Sequence, residues 1–442
     1  MQTRRTPEMI FVFVLRVAAV LLTVHCKPAS AAADLMITGK VADGTGKPLA
    51  DATVMVYHAG PTAGYSIFCP SCYPDCGKRA ITDSNGAFIL HHLSPGLWFE
   101  LLIASSGYEP RFVKKVVPTP DVPVTATLDA RPRVTDPNRT FRGRIVDSKG
   151  AAQPYAVVQP VGAFWEGKTR ASVIGRIPSV DPMAVADQEG GFELDFLAKE
   201  NPRPLLSGPP AIIAVSVEAR GMAEAFVAIP AGLEQHTIAL TDGAIVRGRL
   251  VQDGKSIGGA EVGVYGYPLG GYGGFGSGYG EMRIGTRPDG TFEMSNVPVP
   301  GNWYVYAKMA SVAARGATGN VACATKHNDE IVDVGDLELK AAYHLRGHVV
   351  LSDGKPIANG MTITIRSEEA FDSQTATLPP DGRFEFAGLA AGSYSILASV
   401  KGYSRSSSPL SIEHNIDNFM IALSPGDNPS AKPAGAGKPG PR

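Results

Sequence analysis

In the last third of the chain, apolar and polar side chains alternate with a period of two. Met361, Ile363 and Ile365 alternate with Thr362, Thr364 and Arg366, and Tyr394, Ile396, Ala398 and Val400 alternate with Ser393, Ser395 and Ser399. This period predicts half-buried strands, because successive strand residues face opposite ways. Leu397 breaks the second polar row and predicts a strand covered on both faces. Phe384 and Phe386, two positions apart after the turn Pro379-Pro380-Asp381-Gly382, should enter one core. The beginning of the chain reads the same way. Met36–Ala42, Ala52–Tyr57, Arg79–Thr82, Ala87–Leu90, Trp98–Ser105, Phe112–Val117 and Val124–Leu128 are strand-like runs separated by Gly, Pro, Asn and Asp turns. Such closely spaced short strands describe a small antiparallel sandwich. Trp98, Trp303 and Tyr394 follow corresponding glycine turns and are expected in the cores.

The pattern occurs four times. Its opening strands are Ile37–Asp43 (ITGKVAD), Phe141–Asp147 (FRGRIVD), Val246–Gln252 (VRGRLVQ) and Leu345–Leu351 (LRGHVVL). Each is echoed by a turn and a phenylalanine: Asp83–Phe88 (DSNGAF), Asp187–Phe192 (DQEGGF), Pro288–Phe292 (PDGTF) and Pro380–Phe384 (PDGRF). The fold class expected is all-β, a tandem of small antiparallel Greek-key β-sandwiches. The boundaries are module one at 35–130, module two at 139–242, module three at 243–341 and module four at 342–425. Residues 426–442, rich in Pro, Gly, Ala and Lys, are expected to be disordered. Short joins at 240–244 and 339–343 predict restricted motion between modules, and Arg131–Thr140 is the one evident linker.

Composition agrees. The 442 residues include 50 glycines and 35 prolines, which favours turns over long helices. A net charge of -1 gives no electrostatic footprint for nucleic acid. Arg4 and Arg5, the apolar run Met9–Val24 and Ala29-Ser30-Ala31 form a signal-peptide pattern over residues 1–31. The mature chain is expected to be periplasmic, at the cell surface or secreted. No other stretch is suited to crossing a membrane.

The motif set resembles the bacterial carboxypeptidase-regulatory-like and Cna-B-like families of transthyretin-like (prealbumin-like) sandwiches. Its carriers are the G-[KR]-[VI] opening, the Ala52-Thr53-Val54 and Ala260-Glu261-Val262 strands, Thr82–Phe88, and the stretches Leu93–Trp98 and Leu389–Tyr394. Modules one and four match strongly, module three fairly and module two weakly. The resemblance implies stalks, accessory domains, adhesin spacers or parts of envelope assemblies, with carbohydrate binding in a minority. No peptidase domain accompanies the modules, and the His/Arg/Ser set of isomerohydrolase relatives is not found. Crosslinking relatives join Lys to Asn beside a buried acid. Lys40 stands at a suitable place, but Arg144, Arg249 and His348 at matching positions argue against a general bond.

Candidate chemistry lies where the copies differ. The loop Tyr65–Lys78 (YSIFCPSCYPDCGK) holds Cys69, Cys72 and Cys76, and Cys323 lies in module three. A structural disulfide, Cys69–Cys76 or Cys72–Cys76, is the ordinary expectation in an oxidising compartment, leaving the third sulfur free or paired with Cys323. Zinc on Cys69, Cys72 and Cys76 is a rival, with His58 as a candidate fourth ligand. Thiol redox chemistry or covalent attachment is another, although Pro70 and Pro74 do not suit the helix start that lowers a thiol pKa. In module two the insertion Phe164–Pro182 brings Trp165, beside Phe164, as an exposed aromatic candidate. In module three Gly270–Gly280 carries Tyr272, Phe275 and Tyr279, either a mobile loop or a set of stacking faces. No H-E-x-x-H, G-x-S-x-G or P-loop occurs. The reading is a non-catalytic exported scaffold or binding protein, with no catalytic residue, metal or cofactor assigned. Its expected partner is a protein or polysaccharide at the envelope or outside the cell. Sugar binding through the inserted aromatics, and metal or thiol chemistry in the cysteine loop, are the alternatives.

Overall fold

The computed structural model describes residues 35–119, 122–131, 135–165, 173–174, 177, 180–197, 209–268 and 281–426. The leader, residues 1–31, and the tail from residue 427 onward lie outside these residues. Among the described residues no helix is long and apolar enough to cross a membrane.

In module one, Ile37–Asp43 pairs on one side with Ala87–Leu90 and on the other with Val124–Leu128. The facing sheet runs in the order Arg79–Ile81, Thr53–Pro61, Leu97–Ala104, Arg111–Val116. These are the seven strands expected from the sequence. The other modules repeat the plan, with opening strands Thr140–Val146, Ala244–Gln252 and Tyr343–Leu351. Pairing is antiparallel except that each opening strand lies parallel to the last strand of its module. Beginning and end thus meet in one sheet, so each sandwich is closed by its own termini.

The repeated residues are cross-strand partners. Gly39, Gly143, Gly248 and Gly347 sit opposite Phe88, Phe192, Phe292 and Phe384. A Cβ on Gly39 would fall 2.6 Å from the Phe88 ring, and one on Gly347 would fall 2.7 Å from Phe384. The missing side chain is the space into which the ring packs. The turn before each phenylalanine is closed by its acid: Asp83 Oδ1 accepts the backbone N–H groups of Asn85 and Ala87, both at 2.8 Å. Gly86 follows with φ 70°, a left-handed conformation suited to glycine, against the Val41 carbonyl. The acidic turns are therefore satisfied from within.

Each sandwich fills with alternating strand residues. Ile363, Ile365, Phe384, Phe386, Tyr394 and Ile396 share the core of module four. Trp303 is 1% exposed in module three. Trp98 departs from expectation: it is half-buried, and Phe99 takes the core position. The register between Thr53–Pro61 and Leu97–Ala104 shifts between Val56 and His58. That shift puts its extra residue on Thr53–Pro61, whereas along Leu97–Ala104 the core takes Phe99, Leu101 and Ile103, and a period of two turns Trp98 to the other face.

Neighbouring modules also share apolar contacts. Met55, Tyr57 and Leu102 of module one form a cluster with Val157 and Met183 of module two. Phe226 of module two packs on the core of module three, and Met309 of module three belongs to the core of module four.

Candidate functional site at the junction of three modules

The cysteine loop leaves Thr53–Pro61 and returns as Arg79–Ile81. Within it, Cys72 N–H donates to the Cys69 carbonyl at 3.0 Å. This tight turn brings the two side chains together, and they form the disulfide Cys69–Cys72 with Cα atoms 5.1 Å apart. The expected Cys69–Cys76 and Cys72–Cys76 pairings are thus corrected. Cys76 instead lies in the module core beside Tyr73, and its thiol donates to the Pro70 carbonyl at 3.3 Å. Burial pushes the Cys76 thiol up to about 11. Cys323 is also a free thiol, half-buried against the core of module three and raised by burial to about 11. Both are poor nucleophiles at neutral pH, since the thiolate is the reactive form. Two of the three sulfurs weighed for zinc are bonded to each other. Among the described residues no group of three or more His, Cys, Asp and Glu could hold a metal.

The loop meets both following modules. Gly285 N–H, at the end of the edge strand Met282–Gly285 of module three, donates to the Ser66 carbonyl at 2.5 Å. A Cβ at Gly285 would lie 2.9 Å from Tyr65 Cβ and 3.0 Å from the Tyr65 carbonyl oxygen, so the approach requires glycine. Asn296 Oδ1 lies 3.8 Å from Cys69 Sγ and 3.7 Å from Cys72 Sγ. The Asn296 amide donates at 2.8 Å to the Gly221 carbonyl and at 2.9 Å to that of Asp242, both in module two. One side chain of module three therefore contacts the disulfide of module one and the backbone of module two.

His58 makes the second bridge. Its Nδ1 lies 2.8 Å from Glu100 Oε2 in its own module, and its Nε2 lies 2.5 Å from Glu218 Oε1 in module two. Tyr57 O–H donates to the Glu218 carbonyl at 2.9 Å. Burial disfavours the charged ring, but the hydrogen bonds to Glu100 and Glu218 outweigh it and bring His58 up to about 9. The imidazolium is thus the form present at neutral pH, engaged on both nitrogens and unsuited to ligating zinc. The ring borders a cleft of about 400 Å³ that is also lined by Cys69, Glu218, Met222, Met282 and Asn296.

Modules three and four are joined by a buried cation. Lys308 Nζ lies 2.6 Å from Glu281 Oε1 and 2.7 Å from Asp372 Oδ1, the latter in module four. Asp372 Oδ2 also accepts the Met309 N–H at 2.7 Å, and Tyr306 O–H donates to Glu281 Oε1 at 2.5 Å. Beside Glu281, burial raises the Tyr306 hydroxyl above its ordinary range.

The aromatic candidates fare differently. Phe164, which ends the strand Val157–Phe164, is 8% exposed and so is buried. Trp165 is half-buried against the core of module two. Their expected joint exposure is thus corrected. Tyr272, Phe275 and Tyr279 lie outside the described residues. Lys40 is exposed, without the buried surroundings that a crosslink implies. Sequence reasoning missed Asn296, Lys308 and the bridging role of His58, because each acts on a residue of another module. The usable signals were a charged Lys308 directly after the apolar strand Gly301–Ala307, and a histidine inside the apolar run Thr53–Pro61.

The fold thus defines a tandem β-sandwich protein whose modules interlock. A carboxypeptidase regulatory-like domain model matches residues 36–131, in module one, and 344–418, in module four. No curated protein matches the chain. Among solved structures, the TIE protein of Bacillus anthracis is similar over 90% of this chain and 76% of its own, with 12% identity and a TM-score of 0.19. A streptococcal ancillary pilin is similar over 66% of this chain and 99% of its own, with 15% identity and a TM-score of 0.22. The 5-hydroxyisourate hydrolase of Klebsiella pneumoniae is similar over 19% of this chain and 92% of its own, with 21% identity and a TM-score of 0.17.

Proposed function

We propose that the chain is a non-catalytic exported scaffold that presents a fixed arrangement of sandwich modules to a protein partner at the envelope or outside the cell. The observation that carries this reading is the docking of the cysteine loop: Ser66 of module one accepts the Gly285 N–H of module three at 2.5 Å. A loop that looks like a candidate reactive site in the sequence is engaged in bracing. Its disulfide stiffens the brace, its remaining thiol is buried, and the nearby histidine is held by two carboxylates. Export rests on the leader pattern of residues 1–31 and agrees with a disulfide in the loop.

The test is affinity capture from a native envelope fraction, with the full chain compared against the four modules expressed singly. A scaffold recovers a protein partner with the full chain and loses it with single modules. Equal capture by one isolated module would refute the scaffold reading, and turnover of a substrate by the purified chain would refute the non-catalytic one.

A further inference from the structure

Asp181 belongs to the insertion that sets module two apart, and Asp195 ends the strand Gly191–Asp195. Both are 1% exposed. Among the described residues their one cationic contact within salt-bridge distance is Arg131, whose Nη2 lies 2.8 Å from Asp181 Oδ2 and 3.6 Å from Asp195 Oδ2. The second distance is too long for a hydrogen bond. Asp181 Oδ2 also accepts the Asp195 N–H at 2.8 Å, and Asp195 Oδ1 accepts the Thr140 hydroxyl at 3.2 Å. Asp181 Oδ1 and Asp195 Oδ2 have no hydrogen-bond partner among the described residues.

The charges do not balance. Among the described residues two buried carboxylates face one guanidinium, and the further charges acting on them, Glu109 and Glu193, are also acidic. Arg142 is engaged by Glu193 at 2.6 Å. A buried charge without its own partner costs several kcal/mol, and the usual relief is to take up a proton. Two carboxylates in one site then ionise in coupled steps. The two bare oxygens are sealed from solvent, so a solute in the adjoining cleft of about 760 Å³ does not reach them. A proton needs no such room.

We propose that Asp181 and Asp195 hold one proton between them at neutral pH, so that the fold at the start of module two is more stable in mild acid than at higher pH. Arg131, the cation that the pair shares, reaches both modules. Its backbone N–H donates to Gly107 of module one at 2.8 Å, while its side chain enters the acid pair and donates to the Glu193 carbonyl at 2.6 Å. Desolvation raises both carboxyls above their ordinary value. An acid raised on folding binds its proton more tightly in the folded chain. Stability is therefore greatest below the ordinary Asp range and falls as pH rises through the raised value.

The experiment compares the melting of the full-length wild type and Asp195→Asn at pH 5 and pH 7.5. Asparagine supplies the donor that the shared proton supplies, without a charge. The variant is expected to melt higher than wild type at pH 7.5 by roughly 2–4 °C, and the difference should shrink at pH 5. A variant that melts lower than wild type by the same amount at both values would overturn the proposal, because each carboxylate would then be needed ionised. Selective ¹³C-carboxyl titration of the wild type gives an answer independent of the variant's folding. One of the pair should titrate above the ordinary Asp range, and two ordinary or depressed midpoints would overturn the proposal. A rise in wild-type melting on adding calcium, lost in Asp195→Asn, would also overturn it by assigning the bare oxygens to a metal.

Discussion

His58 of module one and Glu218 of module two meet at 2.5 Å, while the other ring nitrogen stands 2.8 Å from Glu100. Charge on the ring is thus tied to the joint between the modules. With the folded pKa at about 9 against an ordinary 6.5, the stabilisation is fully present below pH 6.5. It declines above that and is lost as pH passes about 9. The shift corresponds to at most about 3 kcal/mol. Urea unfolding of the full chain at pH 7 and pH 10 should show this loss, and His58→Gln should remove most of the difference between the two. An unchanged pH dependence in the variant would exclude His58 as its source.

The cysteine loop predicts a specific thiol count. From Leu35 onward, one disulfide and two thiols are expected, with Cys76 and Cys323 both raised to about 11. Alkylation followed by mass spectrometry should label neither thiol readily in the native chain at pH 7, and both after unfolding. Rapid native labelling of Cys76 would contradict its burial. Replacing Cys69 and Cys72 together by serine should cost about 2 kcal/mol or less, because the bond closes a very short loop. Its larger effect should be on protease resistance of the loop, which the bond stiffens against module three.

The sequence revealed the sandwiches because their determinants are local and repeated. Gly39 and Phe88 recur as a spaced pair because one ring fills the space that the glycine leaves, and each recurrence marks another opening strand. Phe384 and Phe386 could be assigned to the core because two positions along a strand return to one face. Trp98 was misplaced because its position after a glycine turn matched it to Trp303 and Tyr394, while the period of two through Phe99, Leu101 and Ile103 puts it on the other face. The joints were hidden for a different reason. Ser66 and Gly285, or His58 and Glu218, become neighbours only when whole modules pack, and neither partner belongs to the repeated motif. Cysteine spacing likewise left the pairing open until the turn at Cys69–Cys72 was known.

Gly285 should be intolerant of substitution although its backbone conformation is not the cause. Its neighbours Tyr65 and Ser66 occupy the space that a side chain would need, with the Tyr65 carbonyl oxygen 3.0 Å from the Cβ position. Gly285→Val is expected to unseat the cysteine loop while leaving the core of module three intact, since the clash falls on module one. Hydrogen exchange of the full chain should then show faster exchange over residues 62–78 and at Gly285 itself, with little change in Glu261–Pro268. Uniform loss of protection across module three would show that Gly285 serves that module's own fold instead.

Lys308 should be the most sensitive position of the joint between modules three and four. Its ammonium is the shared partner of Glu281 and Asp372, and all three side chains are at least nine-tenths buried. Lys308→Met leaves Glu281 paired with Arg283 at 2.6 Å but strips the buried Asp372 of its one salt bridge among the described residues, a change expected to cost about 3–5 kcal/mol. The triple replacement Lys308→Met, Glu281→Gln, Asp372→Asn removes the charges together and should recover much of that loss. Chemical unfolding of the full chain with both variants measures the two effects. If the single replacement costs as little as an exposed ion pair, below about 1 kcal/mol, the cation does not hold the joint. If the triple variant is no more stable than the single one, the cost lies in lost packing around the lysine stem and not in the stranded Asp372 carboxylate.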